Sequence, residues 1–389
     1  MKTIACVAEY NPFHLGHLKH LDYVKNTLNA DNIIVIMSGN FTQRGEIAIM
    51  NKYTRAKHAI LAGADMVIEL PTVFATANAE IFSFGAVKIL NSLNSVDGLC
   101  FGVESGEKLQ FINVATTLNN ETKEYKQLLK SSLDEGLSLA KAKCKALKAT
   151  IPTFDEQFLS TPNNILGVEY TKALLKLKSD IEIFPMLRTG DHNDKKLKKG
   201  ITSATSIRET IKGKPIKKIK GNIPSFTYKD ISGYPNDFDK LLMAKIIMTS
   251  PQNISKILDC TEGLENRIKA LAKDNRTIEQ LVEKVSTKRY TKTRVSRIIL
   301  SNFLDITKDL VFSALSSPLY AKVLAIKESK KELLSAVNKN STIPVITRQS
   351  DLMDLKKTAK DCYEKDLLAS DLYALICNQK PKDNQMLII

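Results

Sequence analysis

Four short apolar runs recur through the first hundred residues: TIACVA (3–8), NIIVIM (32–37), DMVIEL (65–70) and DGLCFG (97–102). Each is too short for a helix and gives way to a polar loop or a proline, the pattern of a buried strand. Helical spacing fills the intervals: Leu18, Leu21, Val24 and Leu28 after Gly16, then about 52–61, then about 78–93. Strands apolar on both faces, alternating with helices, satisfy their backbone in a parallel sheet covered on both sides by right-handed crossovers. The pattern therefore predicts a Rossmann-like α/β domain, whose ligands bind beyond the carboxyl ends of the strands. A fifth strand, IEIFPML (181–187), follows a helix opened at PNN with Asn163 or Asn164 as its cap.

Residues 107–150 read as helical and lysine-rich, interrupted only by Gly136. Past about Lys220 the apolar runs turn helical, with IPVIT (343–347) the main exception. The chain is expected to divide into 1–220, the parallel-sheet domain, and 221–389, a mainly helical basic region. Charge divides in nearly the same way. After residue 200 there are 33 Lys and Arg against 21 Asp and Glu, a net +12, which leaves +3 for the first 200. A basic half beside a near-neutral half points to a polyanion, most simply a nucleic acid, held by the C-terminal part.

No segment approaches the roughly 20 apolar residues of a membrane span. MKTIACVAEYNPF reaches Glu9 too soon for a secretory signal, so a cytoplasmic location is expected. Six cysteines show no CxxC pair and no regular spacing, so neither a zinc site nor a disulfide framework is suggested.

No GxGxxG or GxxxxGK[ST] fingerprint is present, so a bound phosphate needs another cradle. HLGH supplies one. His14 falls just before a helix and His17 in its first turn, where unpaired backbone N–H groups and the helix dipole favour an anion. Gly16 between them lets a ligand come close to the backbone. Two imidazoles donating into an α-phosphate stabilise charge that develops as pyrophosphate leaves. As a zinc site HxxH lacks a third ligand, so no metal site is expected. A second cradle is TSATSIR (202–208): Ser203 or Thr205 caps a helix, the remaining N–H groups and hydroxyls, Ser206 included, receive phosphate oxygens, and Arg208 supplies a cation.

HxGH early and S/T-x-x-R late resemble the HIGH-type nucleotidyltransferase superfamily. EYNPFHLGH, IMSGNFTQRGE (36–46), DMVIELP, FGVES (101–105), PNNILGVEY (162–170) and SATSIR together look like the bacterial tRNA(Met) cytidine acetate ligase family. That resemblance implies attack of acetate on the ATP α-phosphate, giving acetyl-adenylate. Acetyl transfer then follows to the exocyclic amine of the wobble cytidine of elongator tRNA(Met), giving N(4)-acetylcytidine without acetyl-CoA. Mg²⁺ is expected with ATP, and no membrane or obligatory protein partner is implied. The ATP site so implied comprises Val7, Ala8, Glu9, Tyr10, Asn11, Pro12, Phe13, His14, Leu15, Gly16, His17, Leu18, Lys19 and His20, with Gly102, Asn163 and Arg188. His14, His17 and Arg208 are the expected catalytic residues, and His20 is given a bland role. After Arg188 the chain reads TGDHND, where the family pattern has His followed at once by Asp, which leaves His192 and Asp194 weak candidates.

SGNFTQRG offers Ser38, Asn40, Gln43 and Arg44 as an acceptor or lid loop, whereas Lys52, Arg55 and Lys57 read as an exposed charged face. For RNA the best local signal is KRYTKTRVSRIIL (288–300). As a helix it buries Val295, Ile298, Ile299 and Phe303 and leaves Arg294 and Arg297 opposite, with Lys288, Arg289 and Lys292 upstream and Tyr290 able to stack on a base. KGKPIKKIKGN (212–222) reads as a second basic strip. HxGH alone also permits a small-molecule adenylyltransferase of cofactor synthesis, or a non-catalytic RNA-binding protein with a nucleotide fold. The +12 half argues against the first, and intact His14, Gly16, His17 and Arg208 against the second.

Overall fold

All five apolar runs are strands in the computed structural model, which describes residues 1–188, 197, 200–235, 238–381, 383 and 385–389. They are β1 (Thr3–Ala8), β2 (Asn32–Ser38), β3 (Met66–Leu70), β4 (Gly98–Val103) and β5 (Glu182–Leu187), paired in parallel in the order β5-β4-β1-β2-β3. From β1 the chain winds outward through β2 and β3, then returns to the other side for β4 and β5. The boundary between β1 and β4 is thus a switch point, where such sheets bind ligands. Successive residues of β2 feed two cores, Ile34 and Ile36 on one face and Ile33, Val35 and Met37 on the other. That is why the runs are apolar throughout.

The crossovers are α1 (Leu15–Asp22), α2 (Lys52–Leu61), α3 (Ala79–Ser92) and α4 (Pro162–Leu177). Asn51 caps α2 and Asn78 caps α3, each accepting a backbone N–H of the first turn, at 2.8 and 3.1 Å; such caps stabilise a helix by about 1 kcal/mol. The start of α4 corrects an expectation. Thr161 is the N-cap, Pro162 occupies the first turn, and Asn163 and Asn164 are already helical. The buried Asn164 instead accepts from Glu104 N at 3.0 Å and donates to Ser105 Oγ at 2.9 Å, so it pins the loop after β4. The 107–150 segment is three helices, Lys108–Asn119, Lys123–Asp134 and Leu139–Thr150; the unforeseen break precedes Thr122, whose hydroxyl caps the second.

After α5 (Ala204–Gly213) the described chain is mainly helical to Ser316, including α6 (Lys292–Phe303), and then returns to the sheet. There β6 (Ala321–Ile326) lies antiparallel to β3, while β7 (Val345–Ile346) and β8 (Leu387–Ile388) pair parallel to β6. IPVIT supplies β7; the AKVLAI of β6 was not legible as a strand. Lys322 interrupts that run, yet it is buried, with Nζ 3.1 Å from Glu69 Oε2 and beside Asp383. Lys52 Nζ meets Glu69 and Asp383 at 2.7 and 2.8 Å. Two cations and two carboxylates neutralise one another, the condition for burying any of them. The exposed charged face expected of α2 is therefore wrong for Lys52 and Arg55, which are buried, and holds for Lys57.

Candidate active site

The loop after β1 enters α1 through His14. His14 is the N-cap, its Nδ1 accepting from Gly16 N at 3.0 Å, and His17 Nδ1 accepts from His14 N at 3.2 Å. Two helix-start donors are thus satisfied by imidazoles. An accepting Nδ1 carries no proton, so each neutral ring has its N–H at Nε2. The rings stack with centroids 3.6 Å apart and planes 17° from parallel, so the two imidazoles form one unit. A Cβ on Gly16 would come within 2.9 Å of His14 Cε1, so glycine is what lets the imidazole fold over the first turn.

Tyr10 packs edge-on against His17 and Phe13, at 4.8 and 4.7 Å between centroids, with φ at +48°. A tyrosine in the left-handed region is strained, and surrounding structure must hold it there. Arg55 does much of this. Its guanidinium donates to Glu9 O at 2.6 Å, Ser38 O at 3.1 Å, Met50 O at 2.9 Å and Gly39 O, tying the ends of β1 and β2 to one cation. Burial lowers its pKa to about 10, which leaves it charged at neutral pH. Side chains lace the 38–50 loop to its neighbours. Glu9 accepts from Gln43 N at 2.9 Å, Asn11 from Ile49 N at 2.9 Å, and Asn40 from Lys52 N at 2.8 Å.

A cleft of about 600 Å³ opens over the carboxyl ends of β1, β4 and β5, within the range that takes a nucleotide-sized ligand. His14 and His17 line it, with Gly102, Asn163, Arg188 and Arg208. A Cβ on Gly102 would meet the Arg188 side chain at 3.0 Å, so the missing side chain makes room for that cation. Ser203 caps α5 by accepting from Ser206 N at 3.1 Å. One turn on, Arg208 donates to Asn11 O at 2.7 Å and Glu46 Oε2 at 2.8 Å, which joins α5 to the opening loop and the 38–50 loop.

The family model of the HIGH Nucleotidyl Transferases matches residues 1–386. The chain is 40% identical to the tRNA(Met) cytidine acetate ligase of Acetivibrio thermocellus, over 98% of this chain and 96% of that one. It is 39% identical to the ligase of that name from Caldanaerobacter subterraneus subsp. tengcongensis, over 96% and 95%. The chain belongs to the tRNA(Met) cytidine acetate ligase family of HIGH nucleotidyl transferases. Its fold agrees. Thermotoga maritima TmcAL, 29% identical, superposes over the whole of both chains with TM-scores of 0.94 for an apo form and 0.91 for a form bound with alpha-thio ATP.

In this HIGH nucleotidyl transferase Val7, Ala8, Glu9, Tyr10, Asn11, Lys19, His20 and Thr205 also line the cleft. Pro12, Phe13, Leu15, Leu18, Ser203 and Ser206 are not on its lining; Phe13 is buried among Tyr10, His17 and Phe226, and Ser206 bonds Thr202 and Ser203. Gln43 and Arg44 reach the cleft, whereas Ser38 and Asn40 are buried off it. His20 also bonds inward. Its Nε2 lies 3.2 Å from Cys100 Sγ and 4.0 Å from Cys6 Sγ, and burial, helped by Arg188, lowers its pKa to about 4. Burial pushes the Cys6 thiol up to about 12, so this group of three is neutral beside the cationic cleft. Asn163 donates to Glu104. The apolar lining, including Phe82, Phe101, Ile165, Leu166, Tyr170 and Met186, went unread, although Ile165 and Leu166 directly follow PNN. His192 and Asp194 lie outside the described residues.

Helix α6 buries Val295, Ile298, Ile299 and Phe303 as its spacing predicts. Its two arginines are not both on a solvated face. Arg294 donates to Asp259 O at 2.6 and 2.9 Å and to Thr261 Oγ1 at 2.9 Å, and Arg297 is turned into the cleft. The cause is packing against the 38–50 loop. Gly45, with φ at +77°, approaches so closely that a Cβ would lie 2.6 Å from Ser296 C. Lys288 is exposed, as are Arg289 and Lys292, which pair with Glu262 and Glu283; Tyr290 Oη donates to Glu262 at 2.7 Å. The 212–222 strip is anchored to the fold, since Ile219 joins Ile207, Ile211 and Ile223 in a small core with Ile49 and Met50. No helix among the described residues is long and apolar enough to cross a membrane.

Proposed function

We propose that the chain is an ATP-dependent acetate ligase that makes N(4)-acetylcytidine at the wobble position of elongator tRNA(Met) in the cytoplasm. The observation that carries this is the stacked His14–His17 pair at a helix start on the lining of the cleft, each Nδ1 accepting a backbone N–H. The names of the relatives and the ATP analogue in a structural neighbour support the same reading.

An acetate oxygen attacks the ATP α-phosphorus, the bond to the bridging oxygen of the β-phosphate breaks, and pyrophosphate leaves. The imidazole N–H groups stabilise the charge spreading onto phosphate oxygens, while Arg208 and Arg188 meet the anionic ends of the triphosphate. Mg²⁺ carried with ATP neutralises further phosphate charge. In the second step the cytidine N4 attacks the acetyl carbonyl carbon, its bond to the AMP oxygen breaks, and N4 sheds one proton. No acetyl-CoA is used. Residues 1–220 carry the nucleotide chemistry and 221–389 the RNA grip, with Lys288, Arg289 and Lys292 giving salt-dependent contacts to phosphates.

The test is acetylation with labelled acetate, ATP and Mg²⁺ across a panel of unmodified tRNAs. Label should enter elongator tRNA(Met) alone; incorporation that demands acetyl-CoA overturns the reading.

A further inference from the structure

One wall of the cleft has no part in the nucleotide chemistry described so far. It is built by α6, whose Thr293 and Arg297, one turn apart, both line the cleft. The Arg297 side chain is only 14% exposed, and its Nε–H, fully buried, has no acceptor among the described residues. Its ion-pair partner, Asp259 Oδ2, stands 3.9 Å from Nη2, beyond hydrogen-bond length. A guanidinium carries donors only and keeps its charge even though burial lowers its pKa here. That Nε–H is closed off from the cleft, so a ligand there meets the Nη groups, whose ionic partner among the described residues lies beyond hydrogen-bond length.

The surroundings fix this side chain in place. Asp259 also accepts from Asn78 Nδ2 at 3.3 Å, and Asn78 caps α3, whose Ala79 and Phe82 line the cleft too. On the other side Gly45 presses against the Ser296–Arg297 peptide. The same helix leads outward to the exposed basic strip: Lys292 precedes Arg297 by five residues, about 7.5 Å along the axis. An RNA strand with phosphates on that strip delivers a neighbouring nucleotide to the cleft beside Arg297.

We infer that Arg297 is the residue that receives the acceptor base, donating to O2 and N3 of the cytosine and leaving N4 directed at the acetyl carbon. Cytosine presents two acceptors next to its amine, which a planar donor fork matches. Uracil presents an N3–H to the same donors and is rejected. The assignment rests on the ligase reading and adds to it the means of base selection.

The test compares the full-length protein with Arg297→Gln and Arg297→Lys. Adenylate formation is read as pyrophosphate release from ATP and acetate without tRNA, and transfer as single-turnover acetylation of unmodified elongator tRNA(Met). The ratio of transfer to adenylation should fall more than tenfold in Arg297→Gln and less in Arg297→Lys, which keeps the charge without the fork. The KM for acetate should stay within twofold of the parent value. Equal loss of both steps, a tenfold rise in the acetate KM, or an unchanged ratio each overturn the assignment. If Arg297→Gln melts well below the parent, the ratio in Arg297→Lys decides the matter: a fall supports the assignment and an unchanged ratio overturns it. Lack of adenylate in the unaltered protein instead strikes the ligase reading, separately from Arg297.

Discussion

Arg208 Nη2 lies 2.8 Å from Glu46 Oε2, so the cation assigned to the triphosphate is already engaged by a carboxylate. Glu46 belongs to the 38–50 loop and Arg208 to α5, and the pair links the two beside the cleft that Arg208 lines. Phosphate oxygens entering there compete with Glu46 for one guanidinium.

Glu46→Gln therefore should lower the KM for ATP several-fold. Glu46 is more than a third exposed, so the loss of stability should stay below about 1 kcal/mol. Steady-state pyrophosphate release against ATP concentration, with a thermal melt alongside, checks both. A raised KM would show that the pair shapes the site instead of restraining it.

His17→Asn keeps an oxygen able to accept from His14 N and so preserves the helix start, but it loses the imidazole Nε2 donor. Adenylate formation should drop by roughly 10²–10³-fold, the usual effect of removing one transition-state donor. The affinity for tRNA, measured by filter binding, should hold. Joint loss of both would point to a role in folding.

Arg55→Lys replaces a fork that reaches four carbonyls with a single ammonium. Buried carbonyls left without donors should destabilise the protein by about 2–4 kcal/mol. Urea unfolding should show a lower midpoint with an unchanged slope. The ATP KM should rise as well, because the ends of β1 and β2 lose their shared anchor.

His20 gives the fold an acid-sensitive element. Its folded-state pKa, about 4, lies below the ordinary 6.5, so between those values the unfolded chain binds a proton that the folded chain refuses. Stability from this source is complete above pH 6.5 and falls as pH drops toward 4. His20→Gln should flatten that decline in urea midpoints measured at pH 7, 5.5 and 4.5. His58, lowered in the same direction by burial, keeps its own share.

Reversing Lys288, Arg289 and Lys292 to Glu should weaken tRNA binding across all sequences and reduce the slope of log K against log salt. Adenylate formation without tRNA should be untouched. An unchanged salt slope would place the RNA elsewhere.

The sheet was legible because burial on both faces leaves a pattern that needs no partner to recognise: β2 and β3 are buried throughout and β1 and β4 nearly so, while β5, with Glu182 and Leu187 exposed, is still a short apolar run. HLGH was legible because both histidines act on backbone groups within three residues of themselves. Lys52, Arg55 and Lys322 were not, since a charge is buried only by virtue of its partners, and these come from distant segments. Lys322 in AKVLAI reads as a surface lysine until Glu69 and Asp383 are placed beside it. Arg297 failed for the same reason: helical spacing puts it away from the apolar stripe, but not which neighbour then covers it. The apolar lining from α3, β4 and α4 carries no signal apart from that of ordinary core.

Strand β6 has a consequence for how the protein is made. It covers the edge of β3, and with it comes the lysine that Glu69 needs in the interior. While residues 321–388 are still unmade or inside the ribosome, β3 presents an open edge with buried charge only partly matched, a template for pairing with another nascent chain. The segments that build the nucleotide cleft are thus made before the strand that covers the edge of β3, and slow translation of the C-terminal stretch should favour aggregation over native yield.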